Sequence, residues 1–172
     1  EQLDALVDGI NATGYGLTFG MHSRIDETIA HLTQRVQAGN IYVNRNVIGA
    51  VVGVQPFGGM GLSGTGPKAG GPLYLHRLVH GPANAALAAF DSTDASGHPA
   101  LQLLNAIAQG AQQSAQALCQ AALAAARLGA SQLLPGPTGE SNRYRLLPRG
   151  PVWALPRTPL GLVHQLAAAL AS

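Results

Sequence analysis

Apolar residues recur at helical spacing in two segments near the amino terminus. In the first they predict an amphipathic helix over 1–11, and in the second a helix that begins after Ser23 as its cap and ends before Gly39. The residues that define these faces are Leu3, Leu6, Val7 and Ile10, followed by Ile25, Ile29, Leu32 and Val36.

Short runs rich in β-branched residues predict strands between and after these helices. The runs cover 17–19, 40–44 and 50–54, and the last is almost entirely apolar. Helices alternating with apolar strands predict an α/β layer with a largely buried sheet.

The second half of the chain has a different pattern. From 99 to 128 it is rich in Ala, Leu and Gln at helical spacing, which predicts one long helix, with a break near Gly110 as an alternative. A turn-rich link over 134–140, a strand over 144–147 and a helix over 160–172 follow. We therefore expect a linker over 81–98 and an incomplete, mostly helical domain over 99–172.

Composition narrows the class of protein. The 172 residues are 47% hydrophobic, which is typical of folded sequence, and no apolar run is long enough to cross a bilayer. The single cysteine, Cys119, suits a reducing compartment, and we expect a cytoplasmic protein. The start at Glu1, without Met or a signal peptide, indicates a piece of a longer chain.

Charge is distributed unevenly along the chain. No Asp or Glu lies between Glu27 and Asp91, whereas four cations do: Arg35, Arg45, Lys68 and Arg77. Two interpretations remain open, a segment that favours an anionic ligand and an ordinary solvated surface. The cations neither cluster nor alternate with aromatic residues, so nucleic acid is not an expected partner.

The most informative segment is the glycine-rich stretch 49–72, in which 56–66 reads PFGGMGLSGTG. It resembles the C-terminal signature of the aldehyde dehydrogenase superfamily. Within it, the chain is most similar to the L-glutamate γ-semialdehyde (1-pyrroline-5-carboxylate) dehydrogenase half of the bifunctional proline utilisation A family. The segments that carry this resemblance are 14–17, 39–59, 64–72 and 133–142.

The resemblance implies that residues 1–80 are the C-terminal part of an aldehyde dehydrogenase catalytic domain, followed by a mostly helical extension. It implies oxidation of L-glutamate γ-semialdehyde to glutamate in proline catabolism, with NAD as hydride acceptor and a homo-oligomeric enzyme. The family's nucleophilic cysteine, base and NAD-binding glycines match positions before this chain, so no catalytic or cofactor-binding residue is expected here. Any FAD would belong to a distant proline dehydrogenase half, whose presence the sequence leaves open.

The resemblance assigns substrate binding to three residues. The backbone N–H groups of Gly49 and Ala50 would bind the substrate's α-carboxylate, because paired backbone donors form an anion nest. Phe57 would form the wall beside the aliphatic chain of the aldehyde. The alternative for the whole chain is a non-catalytic assembly or scaffold module that retains the fold.

Three other features have simpler interpretations. Cys119 lies in an Ala-rich helix without a neighbouring cation, which favours a buried structural thiol over a nucleophile. His76 and His80 have the spacing of metal ligands on a helix, but no third ligand stands near. A phosphate loop at Gly64–Gly66 is disfavoured, because Pro67 opposes the helix that such a loop should open.

Overall fold

The computed structural model describes residues 2–81, 84–90 and 98–172. The chain divides into two compact units. Unit 1 comprises Glu1–Ala83 and Leu134–Asn142, and unit 2 comprises Asn84–Leu133 and Arg143–Ser172.

Unit 1 contains the short α/β arrangement that the pattern of apolar residues predicts. Helix α1 (Gln2–Ala12) is followed by β1 (Tyr15–Gly16), β2 (Thr18–Met21), α2 (Asp26–Arg35) and β3 (Asn40–Val43). Strands β2 and β3 are parallel and in register from Thr18 opposite Asn40 to Met21 opposite Val43, so α2 is the crossover between them. The core of the unit consists of Val7, Met21, Leu32, Val36 and Ala38.

Two expectations for this region need correction. Of the predicted face of α1, only Val7 is buried, whereas Leu6 is 60% exposed. Ser23 is not the cap of α2, because the helix begins after Ile25, whose side chain makes no capping hydrogen bond. The Ser23 hydroxyl instead accepts a hydrogen bond from the N–H of Ile25, in a local turn before the helix.

Ion pairs join α1 to α2 on the surface of unit 1. Asp4 pairs with His31 and Arg35, and Arg35 also contacts Asp8. The hydrogen bond from His31 has the largest effect and lowers the pKa of Asp4. Loss of solvation opposes it by a smaller amount, and the charge of Arg35 lowers the pKa further. These charges supplement the apolar contacts beneath them.

The predicted strand over 50–54 is absent, and a turn takes its place. Val52 lies in this turn with 95% of its surface exposed. Further on, β4 (Met60–Gly61) pairs antiparallel with β1, and Leu75–Arg77 forms a 3-10 helix. The described residues thus form three two-stranded ladders in place of the larger buried sheet that was expected.

Unit 2 is mainly helical. Within the segment 81–98, predicted as a linker, α3 spans Asn84–Leu87, and residues 82, 83 and 91–97 lie outside the described residues. The predicted long helix is two helices, α4 (Pro99–Gly110) and α5 (Gln113–Ala125), which separate at the Gly110 break allowed by the sequence. Strands β5 (Ser131–Leu134) and β6 (Asn142–Arg145) form a ladder, and α6 spans Pro159–Leu170.

Small residues let the three long helices of unit 2 pack closely. Leu104, Ala108, Cys119 and Ala167 are at most 2% exposed and form its core. Phe90 contacts Tyr144 edge to face, with ring centroids 5.7 Å apart. Among the described residues, no helix has both the length and the apolar character required to cross a membrane.

Candidate functional site

The candidate site begins where β3 ends, and an asparagine sets the direction of the chain there. Asn44 has φ 57°, the one positive φ of a non-glycine residue in the described chain. Its side-chain amide accepts a hydrogen bond from the N–H of Ser23 and donates one to the carbonyl of the same residue, both at 2.9 Å. Asparagine tolerates this conformation better than most residues, and the double contact fixes the start of the loop that leads to Gly49.

Gly49 and Ala50 form an open stretch of backbone in this loop. Gly49 has φ +76°, a conformation that strains other residues, and a Cβ there would meet no atom within 4 Å. In the described part of the chain, neither N–H group has a hydrogen-bond acceptor. Two successive free donors at a left-handed glycine are the elements of an anion nest.

A tight turn follows immediately and holds the chain beyond Ala50. The N–H of Gln55 donates to the carbonyl of Val51 at 2.8 Å, and that of Val54 donates to the same carbonyl at 3.1 Å. The side-chain Oε1 of Gln55 closes the turn by accepting a hydrogen bond from the N–H of Val51 at 3.0 Å. The position of the peptide next to Ala50 is therefore defined by a side chain as well as by the backbone.

The loop exposes an unusual amount of apolar surface around these donors. Ile48 is 81% exposed and Val52 95% exposed. Val47 and Val51 are also exposed. A polar backbone site bordered by apolar side chains suits a ligand that has an anionic end and an aliphatic body.

Phe57 lies after the turn and is held through its backbone. Its N–H donates to the carbonyl of Ala69 and its carbonyl accepts from the N–H of Ala69, both at 3.0 Å. Its side chain is 36% exposed, so it is not a core residue. The structure leaves its ring accessible, as a pocket wall requires.

A buried asparagine fixes the chain on both sides of Phe57. Asn40 is 7% exposed, and its Nδ2 donates to the carbonyl of Pro56 at 2.9 Å. Its Oδ1 accepts a hydrogen bond from the N–H of Gly58 at 3.1 Å. One side chain on β3 thus satisfies two loop groups that have no ladder partner.

Close backbone contacts explain two of the glycines. A Cβ at Gly39 would overlap the carbonyl oxygen of Gly58, and a Cβ at Gly59 would lie 2.5 Å from that of Ser63. The hydroxyl of Ser63 accepts a hydrogen bond from the N–H of Gly16 at 3.1 Å. The loop is therefore packed directly on the strands of unit 1.

The cations of the acid-free segment have structural partners. Arg45 lies 3.5 Å from Glu140 and over the ring of Tyr42, and Arg77 donates to the carbonyl of Gly66 at 2.6 Å. Arg35 pairs with α1, as described above, and Lys68 also makes an interaction within the chain. Each of the four cations therefore has a partner within the chain, although Arg77 is exposed.

The remaining candidates give no site in the described part of the chain. Cys119 is fully buried in the core of unit 2, which confirms the structural interpretation. His76 lies in the 3-10 helix and His80 beyond it, and the described residues contain no group of three metal ligands. Gly64–Gly66 is followed by a cis Gly66–Pro67 bond and turns, without a helix whose N-terminus could bind phosphate.

Sequence reasoning proposed Gly49, Ala50 and Phe57 as substrate-binding residues, and all three lie along one loop of unit 1. It missed Asn40 and Gln55, the two buried amides that hold this loop. The position of Asn40 in a predicted strand gave no indication that its side chain binds the loop. Gln55 was interpreted only as part of a family motif. Its partners, Glu140 and Asn142, are 85 and 87 residues away in the sequence.

Comparison with known proteins gives matches over all or part of the chain. The model of the aldehyde dehydrogenase family matches residues 1–80. The bifunctional protein PutA of Rhizobium meliloti is 55% identical over 176 residues, covering 100% of this chain and 14% of that protein. A 1-pyrroline-5-carboxylate dehydrogenase of Oceanobacillus iheyensis is 42% identical over 80 residues, covering 46% of this chain and 16% of that protein.

A solved structure also matches. A mutant of proline utilization A from Bradyrhizobium japonicum is 70% identical over 44% of this chain and 8% of that one, with a TM-score of 0.43. The chain spans about a seventh of the length of the curated PutA relative from Rhizobium meliloti. The sequence resemblance to the aldehyde dehydrogenase superfamily and to proline utilisation A is confirmed.

Proposed function

We propose that the chain is a section of a longer NAD-dependent L-glutamate γ-semialdehyde dehydrogenase, because residues 1–80 match the model of the aldehyde dehydrogenase family and the whole chain is 55% identical to part of PutA. In this proposal residues 1–80 are the C-terminal part of the catalytic domain, and the helical remainder is an extension of it. The observation that carries the proposal is the pair of free backbone donors at Gly49 and Ala50.

The two N–H groups would bind the α-carboxylate of the substrate. Backbone donors aimed at an anion make charge-assisted hydrogen bonds, which are roughly twice as strong as neutral ones. Glycine at position 49 allows both the positive φ and a close approach, since no side chain stands between the donors and the ligand. The proposed site therefore recognises a carboxylate by geometry rather than by a cationic side chain.

Phe57 would contact the aliphatic carbons between the carboxylate and the aldehyde. Its backbone is fixed by Ala69 and its neighbours by Asn40, so the ring can serve as a rigid wall. Burying an apolar chain against such a ring contributes roughly 25 cal/mol per Å² removed from water. Anchor and wall together would set the distance from the carboxylate to the reacting carbon.

The reacting groups would come from other residues of the longer protein. NAD would be bound mainly by those residues and would accept the hydride from the oxidised carbon. FAD, if a proline dehydrogenase half is present, would belong to that half. We further propose a cytoplasmic homo-oligomer, in line with the relatives' family and the composition of the chain.

The proposal is tested by Gly49→Ala in the full-length protein. Alanine at φ +76° is strained by about 1–2 kcal/mol, so we expect the KM for the semialdehyde to rise about 5- to 30-fold while the KM for NAD stays constant. Gly150→Ala is the matched control, because Gly150 also has a positive φ and open space but lies in unit 2.

Phe57→Ala provides an independent test of the wall. We expect it to raise the same KM, with thermal unfolding measured to check that the loop still folds. An unchanged KM in both variants would refute the assignment of the site. A full-length wild-type protein without dehydrogenase activity would instead favour the assembly or scaffold role.

A further inference from the structure

Gln55 is a buried polar residue within an otherwise exposed turn. It is 9% exposed, whereas Val51 and Val52 in the same turn are at least half exposed. Burying an amide is unfavourable unless its donors and acceptor find partners. The burial of Gln55 therefore requires hydrogen-bond partners, and those partners indicate which part of the loop its side chain holds in place.

Three hydrogen bonds satisfy this amide. Oε1 accepts from the N–H of Val51 at 3.0 Å, the residue that follows the proposed anchor. Nε2 donates to Oε2 of Glu140 at 3.3 Å and to Oδ1 of Asn142 at 3.4 Å. Both acceptors lie in the loop Leu134–Asn142, which belongs to unit 1.

Glu140 is in turn connected to the strands of unit 1. Its Oε1 lies 3.5 Å from Nη1 of Arg45, and the side chain of Arg45 is 26% exposed. The same guanidinium lies 5.1 Å from the ring centroid of Tyr42, a buried residue of β3. A continuous path of contacts thus runs from β3 through Arg45, Glu140 and Gln55 to the backbone of Val51.

From this path we propose that Gln55 is a positioning residue, and that the loop Leu134–Asn142 sets the geometry of the carboxylate anchor through it. The inference rests on the proposed function. Fixing the N–H of Val51 restricts rotation about Ala50, and so keeps the preceding N–H groups in place when the carboxylate arrives. A group pre-organised in this way lowers the entropy cost of binding.

The inference predicts selectivity for substrates that carry the carboxylate. In the full-length protein, Gln55→Ala should raise the KM for the semialdehyde about five- to tenfold, with kcat changed less than about twofold. The kcat/KM for propanal, an aldehyde without an α-carboxylate, should stay within about twofold, as should the KM for NAD. A general structural defect would instead reduce the rates with both aldehydes.

An exchange of charge between the two partners tests the contact itself. Gln55→Glu keeps an acceptor for the N–H of Val51 but places a carboxylate against Glu140, so it should raise the KM for the semialdehyde. Adding Glu140→Gln restores a donor opposite the new acceptor and should recover most of the lost affinity.

Ser141→Ala is the matched control, since Ser141 is exposed between the two contact residues and makes no side-chain hydrogen bond in the described structure. Recovery in the double variant, with Ser141→Ala like the wild type, would support the inference. Equal losses with both aldehydes, or no recovery in the double variant, would overturn it. A wild type that oxidises propanal but not the semialdehyde would overturn the proposed function, and this inference with it.

Discussion

The side chain of Asn40 should decide how well the segment around Phe57 is ordered. Replacing it by alanine removes the acceptor for the N–H of Gly58 and the donor to the carbonyl of Pro56. Leaving a buried polar group without a partner costs about 1–3 kcal/mol. Both backbone groups belong to partly buried residues, where water can replace part of each bond, so we take about 1 kcal/mol for each. The expected loss is therefore about 2 kcal/mol.

Hydrogen exchange measures this loss locally. A decrease of about 2 kcal/mol in the opening free energy should accelerate exchange of the Phe57 and Gly58 amides about 30-fold. The amides of α1 should change much less, because they are held by their own helix. Asn105→Ala in α4 is the control, since that asparagine is exposed.

The reasoning would be refuted if exchange at Phe57 and Gly58 changed less than about twofold in Asn40→Ala. It would also be refuted if acceleration were uniform over unit 1, because that would show loss of global stability rather than of a loop contact. Exchange is preferred to a single unfolding curve, since a chain with two compact units need not unfold in one step.

Two further predictions concern the rest of the chain. Leu104→Ala should destabilise unit 2 by about 2–5 kcal/mol, because Leu104 is fully buried. Leu103→Ala on the same helix should cost less than about 1 kcal/mol, because Leu103 is 54% exposed. Hydrogen exchange of the amides in α4 and α5 measures both losses. Because the folded-state pKa of Asp4 is lowered, its stabilising effect is present above its unfolded pKa and is lost as the pH falls through the folded value. Asp4→Asn should therefore weaken the fall of the Tm as the pH is lowered in the acid range. Glu27→Gln, at an exposed position of α2, should leave that dependence unchanged. The same dependence of the Tm on pH in Asp4→Asn and the wild type would contradict the ion-pair interpretation.

The sequence pattern was sufficient to predict those helices and strands whose formation depends on residues within the element itself. The periodic apolar positions of α1 and α2 and the β-branched run of β3 predicted those elements correctly. Gly110 likewise marked the break between α4 and α5, since glycine is a poor residue for a helix interior. In each case the evidence lay within a few residues of the element.

The prediction failed where a distant side chain competes for the backbone. Residues 50–54 have the composition of a strand, but Gly53 has φ +81° and the side chain of Gln55 takes the N–H of Val51. Ser23 is a residue type that favours a helix cap, yet its backbone is bound by the side chain of Asn44, which follows the neighbouring strand β3. Such contacts join residues that no periodic pattern relates, so composition alone favoured the wrong element.

The candidate site is supported mainly by amides, and that choice of residue has a chemical reason. Asn40, Asn44 and Gln55 each donate and accept at once, as a backbone peptide does. They therefore replace ladder partners in a segment that has left the sheet.

Being uncharged, these three amides add no electric field that would compete with two backbone dipoles for an anion, and they do not titrate near neutral pH. A carboxylate at position 55 would place a negative charge next to the turn that follows the proposed anchor. An ammonium group could bind the ligand but could not accept the loop N–H groups. The three neutral amides thus leave recognition of the ligand's charge to the donors at Gly49 and Ala50.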